Sequence, residues 1–309
     1  MATNVPAQLR VARAAQGWTQ QQLAEAAGIA QSDVSRIERG LSNPTIRTVE
    51  RLFGVLGKGV PTPVRSRHRR PRGARGVLRP VCHSDEAPVV EWLVEEFLSR
   101  GAVTLLAGAP GSGKSLLAQS IAAAAVSGRG NVAGIGVEPA RVVIVDGENG
   151  EDLIQRRFTA LGLEAAAWGT RLRVFAAEGF DLVSDLEQLN ATLSADPCDL
   201  LILDAWASLW TGSEASVDAV RHCLGALREL SRAHRLGTVL IHHTTKGTTT
   251  YRGSGAIAST LEAVFTLTRG DRDPERVLTC EKMRLGPEPP VRNLEVSEAG
   301  FRRVGERLD

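Results

Sequence analysis

The segment "GAPGSGKS", from Gly108 to Ser115, constrains the fold of this chain more than any other stretch. It fits the pattern G-x-x-x-x-G-K-[ST], in which backbone N–H groups wrap a phosphate at the N-terminus of a helix. The apolar run "VTLLA" precedes it and "SLLAQSIAAAAV" follows it, so a strand, this loop and a helix are expected in that order.

The loop predicts a nucleotide site, because Lys114 neutralises β- and γ-phosphate oxygens in this pattern and Ser115 binds Mg²⁺. ATP with Mg²⁺ is therefore the expected cofactor. The candidate nucleotide-binding residues are consecutive: Gly108, Ala109, Pro110, Gly111, Ser112, Gly113, Lys114, Ser115 and Leu116.

Further apolar runs predict buried parallel strands, namely "RVVIVDG", "LRVFAA", "CDLLILD" and "GTVLIHH". Helical stretches lie between them, among them residues 115–126 and 216–234, and later strands are predicted in "AVFTLTR", "RVLTCEKM" and "RNLEVS". Strands that alternate with helices are typical of an α/β protein with a doubly wound sheet.

Two acidic residues are candidates for chemistry because each follows a predicted strand. Asp204 ends "CDLLILD", where a carboxylate at the carboxyl edge of a sheet faces the phosphates and holds Mg²⁺ through water. Glu148 lies beyond "RVVIVDG", where a carboxylate can orient and deprotonate the attacking water. Asp146, Glu151 and Asp152 are alternatives for that second role, and the residues alone do not choose among them.

Residues 6–57 predict a small all-α domain. Thr19 is a natural N-cap for a helix over residues 20–27, Gly28 ends that helix, and a second helix is expected over residues 31–38. Two helices joined by a tight turn near a glycine form the helix-turn-helix unit, whose second helix reads the DNA major groove.

The stretch "WTQQQLAEAAGIAQSDVSRIERGLSNPTIRTVERL" resembles the Cro/C1-type (XRE) helix-turn-helix family. The resemblance implies that the second helix faces base edges and backbone and that Gln20 supports a phosphate contact. Val34 and Ile37 are expected to point inward. The alternative is a helical bundle that contacts only proteins. The DNA-binding candidates in this domain are Gln20, Gln31, Ser32, Asp33, Ser35 and Arg36.

The charge is divided unevenly along the chain, although its net value is +2. Residues 1–79 hold 14 Lys and Arg against 4 Asp and Glu, whereas the rest of the chain is acidic. Residues 58–88 are rich in Arg, Pro and Gly and predict a tether, which is either a solvated linker alone or also a non-specific clamp on DNA phosphates. The expected parts are a helix-turn-helix domain at 1–57, a linker at 58–88 and an ATPase domain at 89–309.

An ordered series of segments, "DGEN", "LLILDAWASL", "LIHHTTKG", "YRGSGAIASTLEAVFTLTR" and "EKMRLGP", follows the phosphate loop. Together these segments resemble the RecA-type ring ATPases, and among them the plasmid RepA-like hexameric helicases. The resemblance covers roughly residues 89–290. It implies a RecA-like P-loop core, a homo-oligomer, expected to be a hexamer, and single-stranded DNA in the ring pore.

The resemblance also implies roles for individual residues. Glu148 becomes the catalytic carboxylate. His243 senses the γ-phosphate, with the adjacent His242 as the alternative. Lys282 and Arg284 are inserted into a neighbouring subunit's site, where Arg284 acts as the arginine finger, and Arg252 competes for that role.

The loop after the sensor strand is expected to face the pore, where Lys246 contacts phosphates of a single strand. Residues 246–250 of this loop carry one cation, and this low charge favours an ATP-dependent switch over a motor. A second pore-facing candidate is "WASLWTGSEAS", with Trp206 and Trp210, although core packing is expected for at least one tryptophan.

Two functions are therefore consistent with the sequence. The first is an ATP-driven DNA motor recruited to its site by the helix-turn-helix domain, and the second is a DNA-binding regulator whose ATPase acts as a slow switch. The sequence contains no run of 18 apolar residues, so no membrane span is expected. The scattered cysteines indicate the cytoplasm.

Overall fold

The computed structural model describes residues 5–39, 44, 46–57, 89–244 and 254–304. The chain divides into two compact units, Met1–Asp85 and Glu86–Asp309. The linker predicted at 58–88 lies outside the described residues, so the division into three parts stays a prediction. None of the helices in the described ranges is long and apolar enough to cross a membrane.

The first unit is a set of four helices: α1 (Val5–Ala15), α2 (Gln20–Ala27), α3 (Gln31–Glu38) and α4 (Ile46–Val55). Helices α2 and α3 have the predicted bounds. A capping box starts α2, because the Thr19 hydroxyl accepts from Gln22 N–H at 3.2 Å and the Gln22 side chain accepts from Thr19 N–H at 2.8 Å. Gly28 ends it in the left-handed conformation, with φ of 61°.

A buried ion pair ties three of these helices together. The carboxylate of Glu38 on α3 accepts from Arg13 on α1 at 2.6 and 3.0 Å and from the Gln20 amide on α2 at 2.8 Å. The Glu38 side chain is only 2% exposed. Apolar residues such as Leu23 and Val34 form the core of this unit.

The second unit is built on a nine-stranded sheet. Its strands are β3 (Val103–Gly108), β6 (Val142–Asp146), β7 (Leu172–Ala176), β8 (Leu200–Asp204), β9 (Gly237–His243), β10 (Ala263–Arg269), β11 (Glu275–Met283), β12 (Arg292–Ser297) and β13 (Gly300–Arg303). Two small hairpins are formed by β1 (Trp92–Val94) with β2 (Leu98–Ser99) and by β4 (Asn131–Val132) with β5 (Ile135–Gly136).

The strand order in the large sheet is β13-β12-β11-β10-β3-β9-β8-β6-β7. The six strands from β10 to β7 in this order are parallel, whereas β11, β12 and β13 form an antiparallel meander on β10. Loops that follow β3, β6, β8 and β9 therefore meet at one carboxyl edge of the sheet.

Helices cover both faces of the sheet. They are α5 (Lys114–Ser127), α6 (Glu151–Ala160), a 3-10 turn (Ala165–Ala167), α7 (Leu186–Ala195), α8 (Trp206–Leu209), α9 (Val217–Ala233) and α10 (Ser254–Thr260). Helices α5 and α6 share one apolar core with the sheet, and α7 to α10 share the other. The central strands read as continuous apolar runs because both of their faces are buried. The predicted α/β doubly wound fold is confirmed.

One strand differs from the expectation. The run "LRVFAA" is predicted to be buried, but β7 is the edge of the sheet and its exposure rises along its length. Phe175 is 40% exposed for this reason. An apolar composition does not distinguish an edge strand from a central one.

Removal of the cation that faces Glu38 should destabilise the helical unit. Burial raises the pKa of Glu38, but hydrogen bonds from Arg13 and Gln20 outweigh it and hold the pKa below its usual value of 4.5. Arg13→Ala should therefore cost about 3 kcal/mol, because it leaves a buried carboxylate without its cation. Amide hydrogen exchange of α2 and α3 in the full chain measures this loss.

The same pair should make the helical unit sensitive to acid. The pKa of Glu38 is lower in the folded unit than in the unfolded chain. Its contribution to the stability of the unit is therefore complete above pH 4.5 and is lost as the pH falls through the folded pKa. Arg39→Ala is the control, because Arg39 is exposed and its contact within the described residues is a hydrogen bond to the Ser35 carbonyl. Equal amide exchange rates of α2 and α3 in Arg13→Ala and Arg39→Ala would contradict a stabilising role for the Arg13–Glu38 pair.

Candidate functional site

The phosphate-loop motif forms a tight turn between β3 and α5, as its flanking sequence predicts. Gly111 and Gly113 have φ angles of 74° and 100°, which favour glycine. A Cβ at Gly108 would lie 2.4 Å from the carbonyl oxygen of Leu267. The nine candidate nucleotide-binding residues follow one another through this turn into the first turn of α5. The loop can therefore direct its N–H groups toward an anion at the helix N-terminus.

Lys114 is held against the loop itself. Its ammonium is buried and donates to the carbonyl oxygens of Gly108 at 2.9 Å and Ala109 at 3.0 Å. Burial lowers the pKa of Lys114, and the charges of Asp204 and Glu148 partly restore it. A compact cation thus lies between the loop and two acids, where phosphate oxygens would meet it.

Asp204 and Asp146 end neighbouring strands in the same register, and both are 2% exposed. Burial raises the pKa of Asp204 to about 6, and the charges of Asp146 and Glu148 act in the same direction. The amide of Asn149 lies between the two carboxylates and donates to Asp146 at 2.9 Å and to Asp204 at 3.3 Å. Asn149 therefore bridges two acids that would otherwise repel each other.

The residues predicted to hold Mg²⁺ fit that role. The Ser115 hydroxyl lies close enough to the Asp204 carboxylate to lower its pKa. Oδ1 of Asp204 is buried and makes no hydrogen bond of normal geometry within the part of the chain that the structure describes. Among the described residues, no group of three or more His, Cys, Asp or Glu is arranged to hold a metal ion. A cation here would need the oxygens of a bound nucleotide to complete its coordination.

Glu148 lies beside the same site and is held through one oxygen. Its Oε1 lies 2.8 Å from Nε2 of His243 and 3.3 Å from the Ser208 hydroxyl. The hydrogen bond with His243 lowers the pKa of Glu148 despite partial burial, so the side chain is a carboxylate near neutral pH. Of its rivals, Asp146 is buried and accepts from the backbone N–H groups of residues 148 and 149, and Glu151 and Asp152 start α6 on its exposed surface.

The two adjacent histidines have different surroundings. His243 ends β9 opposite Gly108 in β3 and contacts Glu148, so it lies at the phosphate loop. His242 is 1% exposed, with its ring 5.1 Å from that of Trp206. Trp206 in turn stacks on Trp210 at 5.1 Å, and both tryptophans are buried. The geometry favours His243 over His242 as a sensor. Both tryptophans pack in the core, as was predicted for at least one of them, so neither side chain is exposed to face a pore.

Lys282 and Arg284 are not brought to this site. They lie at the end of β11, which is antiparallel to β10, and hence at the amino edge of the parallel strands. Lys282 donates to the Leu261 carbonyl at 2.7 Å and Arg284 to the Ser259 carbonyl at 2.9 Å. Burial lowers the pKa of Lys282, and the neighbouring Arg284 adds to this effect. The sheet separates both from their own chain's phosphate loop.

Lys246 and Arg252 lie outside the described residues, as does the segment at 246–250 that the sequence predicts to face a pore. Their roles stay predictions.

Three contacts at the site were missed by sequence reasoning. Asn149 is the last letter of "DGEN", and Ser208 lies in "DAWASL", so both are within recognised segments but their partners are distant in sequence. Arg276 donates to the carbonyl of Ser112 at 3.0 Å and interrupts no hydrophobic pattern that would draw attention to it.

An apolar cavity of about 550 Å³ adjoins the phosphate loop. It is lined by apolar residues such as Leu116, Leu153 and Val296 and by charged residues that include Asp273 and Arg276. Its size and its position beside the loop suit a nucleoside.

The helical unit presents α3 to solvent. Gln31, Ser32, Asp33 and Arg36 are exposed and Ser35 is half-buried, whereas Val34 and Ile37 face the core as predicted. Gln31 donates to the Gln20 side chain at 3.1 Å, and Gln20 donates to Glu38. Gln20 is thus part of a fixed network and not a free side chain.

Comparisons with known proteins agree with this architecture. The family model for an AAA domain matches residues 82–249, and the model for a helix-turn-helix matches residues 9–61. Among solved structures, the crystal structure of the RadB recombinase superposes with a TM-score of 0.50 at 17% identity. The match covers 67% of this chain and 92% of that one, and at this identity it shows the fold alone. No curated protein matches the chain significantly.

Loss of the Asn149 bridge should weaken the cation site. Asn149→Ala removes the side-chain donor that lies between the two buried carboxylates, so we expect about tenfold more Mg²⁺ for half-maximal binding of a fluorescent ATP analogue. The matched control is Asn190→Ala, an exposed residue on α7 that contacts His234. An unchanged Mg²⁺ requirement in Asn149→Ala would show that the bridge has no such role.

Proposed function

The chain belongs to the AAA domain family of RecA-like P-loop ATPases, whose model matches more than half of it, and on this premise we propose that it is an ATP-driven DNA motor. It would resemble RepA-like hexameric helicases, with a helix-turn-helix domain that recruits it to a DNA site. The observation that carries the hydrolytic part is the Glu148–His243 pair beside the phosphate loop.

Each of the site residues has a separate role in phosphoryl transfer from ATP to water. The loop N–H groups and Lys114 bind the β- and γ-phosphates, and the apolar cavity beside Leu116 takes the nucleoside. Ser115 and Asp204 would hold Mg²⁺, which neutralises developing phosphate charge when it is bound. Glu148, ionised near neutral pH, orients the attacking water and accepts its proton.

His243 would couple hydrolysis to DNA. It contacts Glu148 through one ring nitrogen and is followed directly by the segment that contains Lys246. A γ-phosphate at the loop would compete with Glu148 for His243, so its presence can be passed to that segment. We place single-stranded DNA there, and duplex DNA on α3 of the helical unit.

A second copy of the chain would complete the site. Lys282 and Arg284 lie across the sheet from their own phosphate loop, so they can reach phosphates only in another subunit. Arg284 is the arginine finger in this proposal, and Arg252 is its alternative. A closed ring, expected to be a hexamer, provides one such contact for every site.

ATP turnover by the full chain tests the proposal. We expect Glu148→Gln to lower kcat at least about 100-fold while nucleotide binding persists, because only the transfer step loses its base. Glu151→Gln, three residues further on and exposed, should stay within about twofold of the wild type. Equal turnover by Glu148→Gln and the wild type would contradict the assignment.

The same assay separates the two functions. Turnover stimulated by single-stranded DNA but not by random duplex supports a motor. Turnover that is slow and indifferent to single strands contradicts the motor and leaves an ATP-dependent DNA-binding switch.

A further inference from the structure

The phosphate loop is supported from behind by the antiparallel meander. Leu267 at the end of β10 brings its carbonyl oxygen within 2.4 Å of where a Cβ on Gly108 would lie, and the Phe301 ring on β13 comes within 3.0 Å of the same position on Gly113. Both residues lie beyond 82–249, the range matched by the AAA domain model. The loop therefore depends on a part of the chain that its family match does not include.

Arg276 makes the polar contact of this support. Its side chain is 9% exposed, and Nε donates to the Ser112 carbonyl at 3.0 Å. Nη1 donates to the Asp273 carboxylate at 2.9 Å and to the Glu275 carbonyl at 2.7 Å. A guanidinium is costly to bury unless acceptors surround it, and these three acceptors fix it in one orientation. A permanent positive charge is thus held directly behind the phosphate loop.

Arg269 adds a second positive charge beside Arg276. Arg269 is its direct partner across the β10–β11 ladder, and its Nη2 lies 3.5 Å from the Gly111 carbonyl. Like charges opposite each other destabilise a strand pair. Here they lie at the one end of the hairpin that faces a loop suited to an anion, so a bound polyphosphate would relieve their repulsion.

We propose that Arg276 is a positioning residue for nucleotide binding. By donating to Ser112 it holds one loop carbonyl away from the site, which leaves the loop N–H groups directed at the phosphates. Its charge also raises the electrostatic potential at the loop. The proposal rests on the proposed nucleotide site and adds to it a residue that acts on the phosphates through the Ser112 carbonyl.

This role has a distinct kinetic signature. Arg276 acts on the loop before and during the reaction alike, so its loss weakens binding of substrate and transition state equally. Such a loss raises KM and leaves kcat nearly unchanged. The loss of Arg276 should also weaken the binding of inorganic triphosphate, which has no base or ribose, by the same factor as the binding of ATP.

The experiment compares ATP turnover and triphosphate competition for the wild type, Arg276→Gln and Arg272→Gln. Arg272 lies in the same hairpin turn and is exposed, so it controls for the loss of one positive charge. We expect KM for ATP and the inhibition constant of triphosphate to rise about tenfold in Arg276→Gln, with kcat within about twofold. Arg272→Gln should match the wild type.

Arg276→Lys provides the rescue and guards against misfolding. Lysine keeps the charge but donates from a single nitrogen, which cannot reach the acceptors that Nε and Nη1 of Arg276 serve separately, so the KM of this variant should lie between those of the wild type and Arg276→Gln. If Arg276→Gln does not fold, a KM for Arg276→Lys raised at unchanged kcat supports the proposal, and one equal to the wild type overturns it.

Two other results would overturn it: an unchanged KM in a folded Arg276→Gln chain, or a fall in kcat that accounts for the whole defect. Neither is confused with failure of the proposed function, because a wild-type chain that binds no ATP contradicts the nucleotide site itself.

Discussion

The parallel arrangement of β3, β6, β8 and β9 is the constraint on which the rest of the site depends. Each strand is buried on both faces, and each delivers one polar group as it leaves the core: Lys114 after β3, Glu148 after β6, Asp204 at the end of β8 and His243 at the end of β9. No long loop is needed to bring these groups together, since the ladder fixes their spacing. The register that pairs Asp146 with Asp204 and Gly108 with His243 is thus also the geometry of the site.

That arrangement concentrates charge in a small volume, and the structure balances it locally. Asp146 and Asp204 are buried side by side, and burial raises the pKa of Asp204 to about 6. Lys114 faces them from the loop, and Asn149 supplies a neutral donor between them. Glu148 is the exception, because His243 holds its pKa low at a partly exposed position. The acid suited to binding a cation and the acid suited to activating water therefore differ in their surroundings.

Much of the fold and of the candidate site could be predicted from the sequence, because the residues concerned are contiguous in the chain. The phosphate loop, the strand-end acids and the capped helix after Thr19 are local patterns, and each appears where the sequence places it. Asn149, Ser208 and Arg276 could not be assigned, because each owes its role to a partner on another strand. The edge position of β7 and the packing of Phe301 against Gly113 likewise depend on the strand order, which hydrophobic pattern does not specify. His243 was favoured over His242 by resemblance, and only the alternation of side chains along β9 gives the physical reason.

The sheet also separates the two sets of residues that the proposed ATP site combines. Lys114 lies at the carboxyl edge and Arg284 at the amino edge, so one chain alone cannot bring them together. Mixing Lys114→Ala chains with Arg284→Ala chains tests this claim most directly. Each variant alone should be nearly inactive, and an equal mixture should recover up to roughly a quarter of wild-type ATP turnover, because a quarter of the sites then pair an intact Lys114 with an intact Arg284. Turnover by the mixture no greater than that of the separate variants would contradict a site shared between two copies.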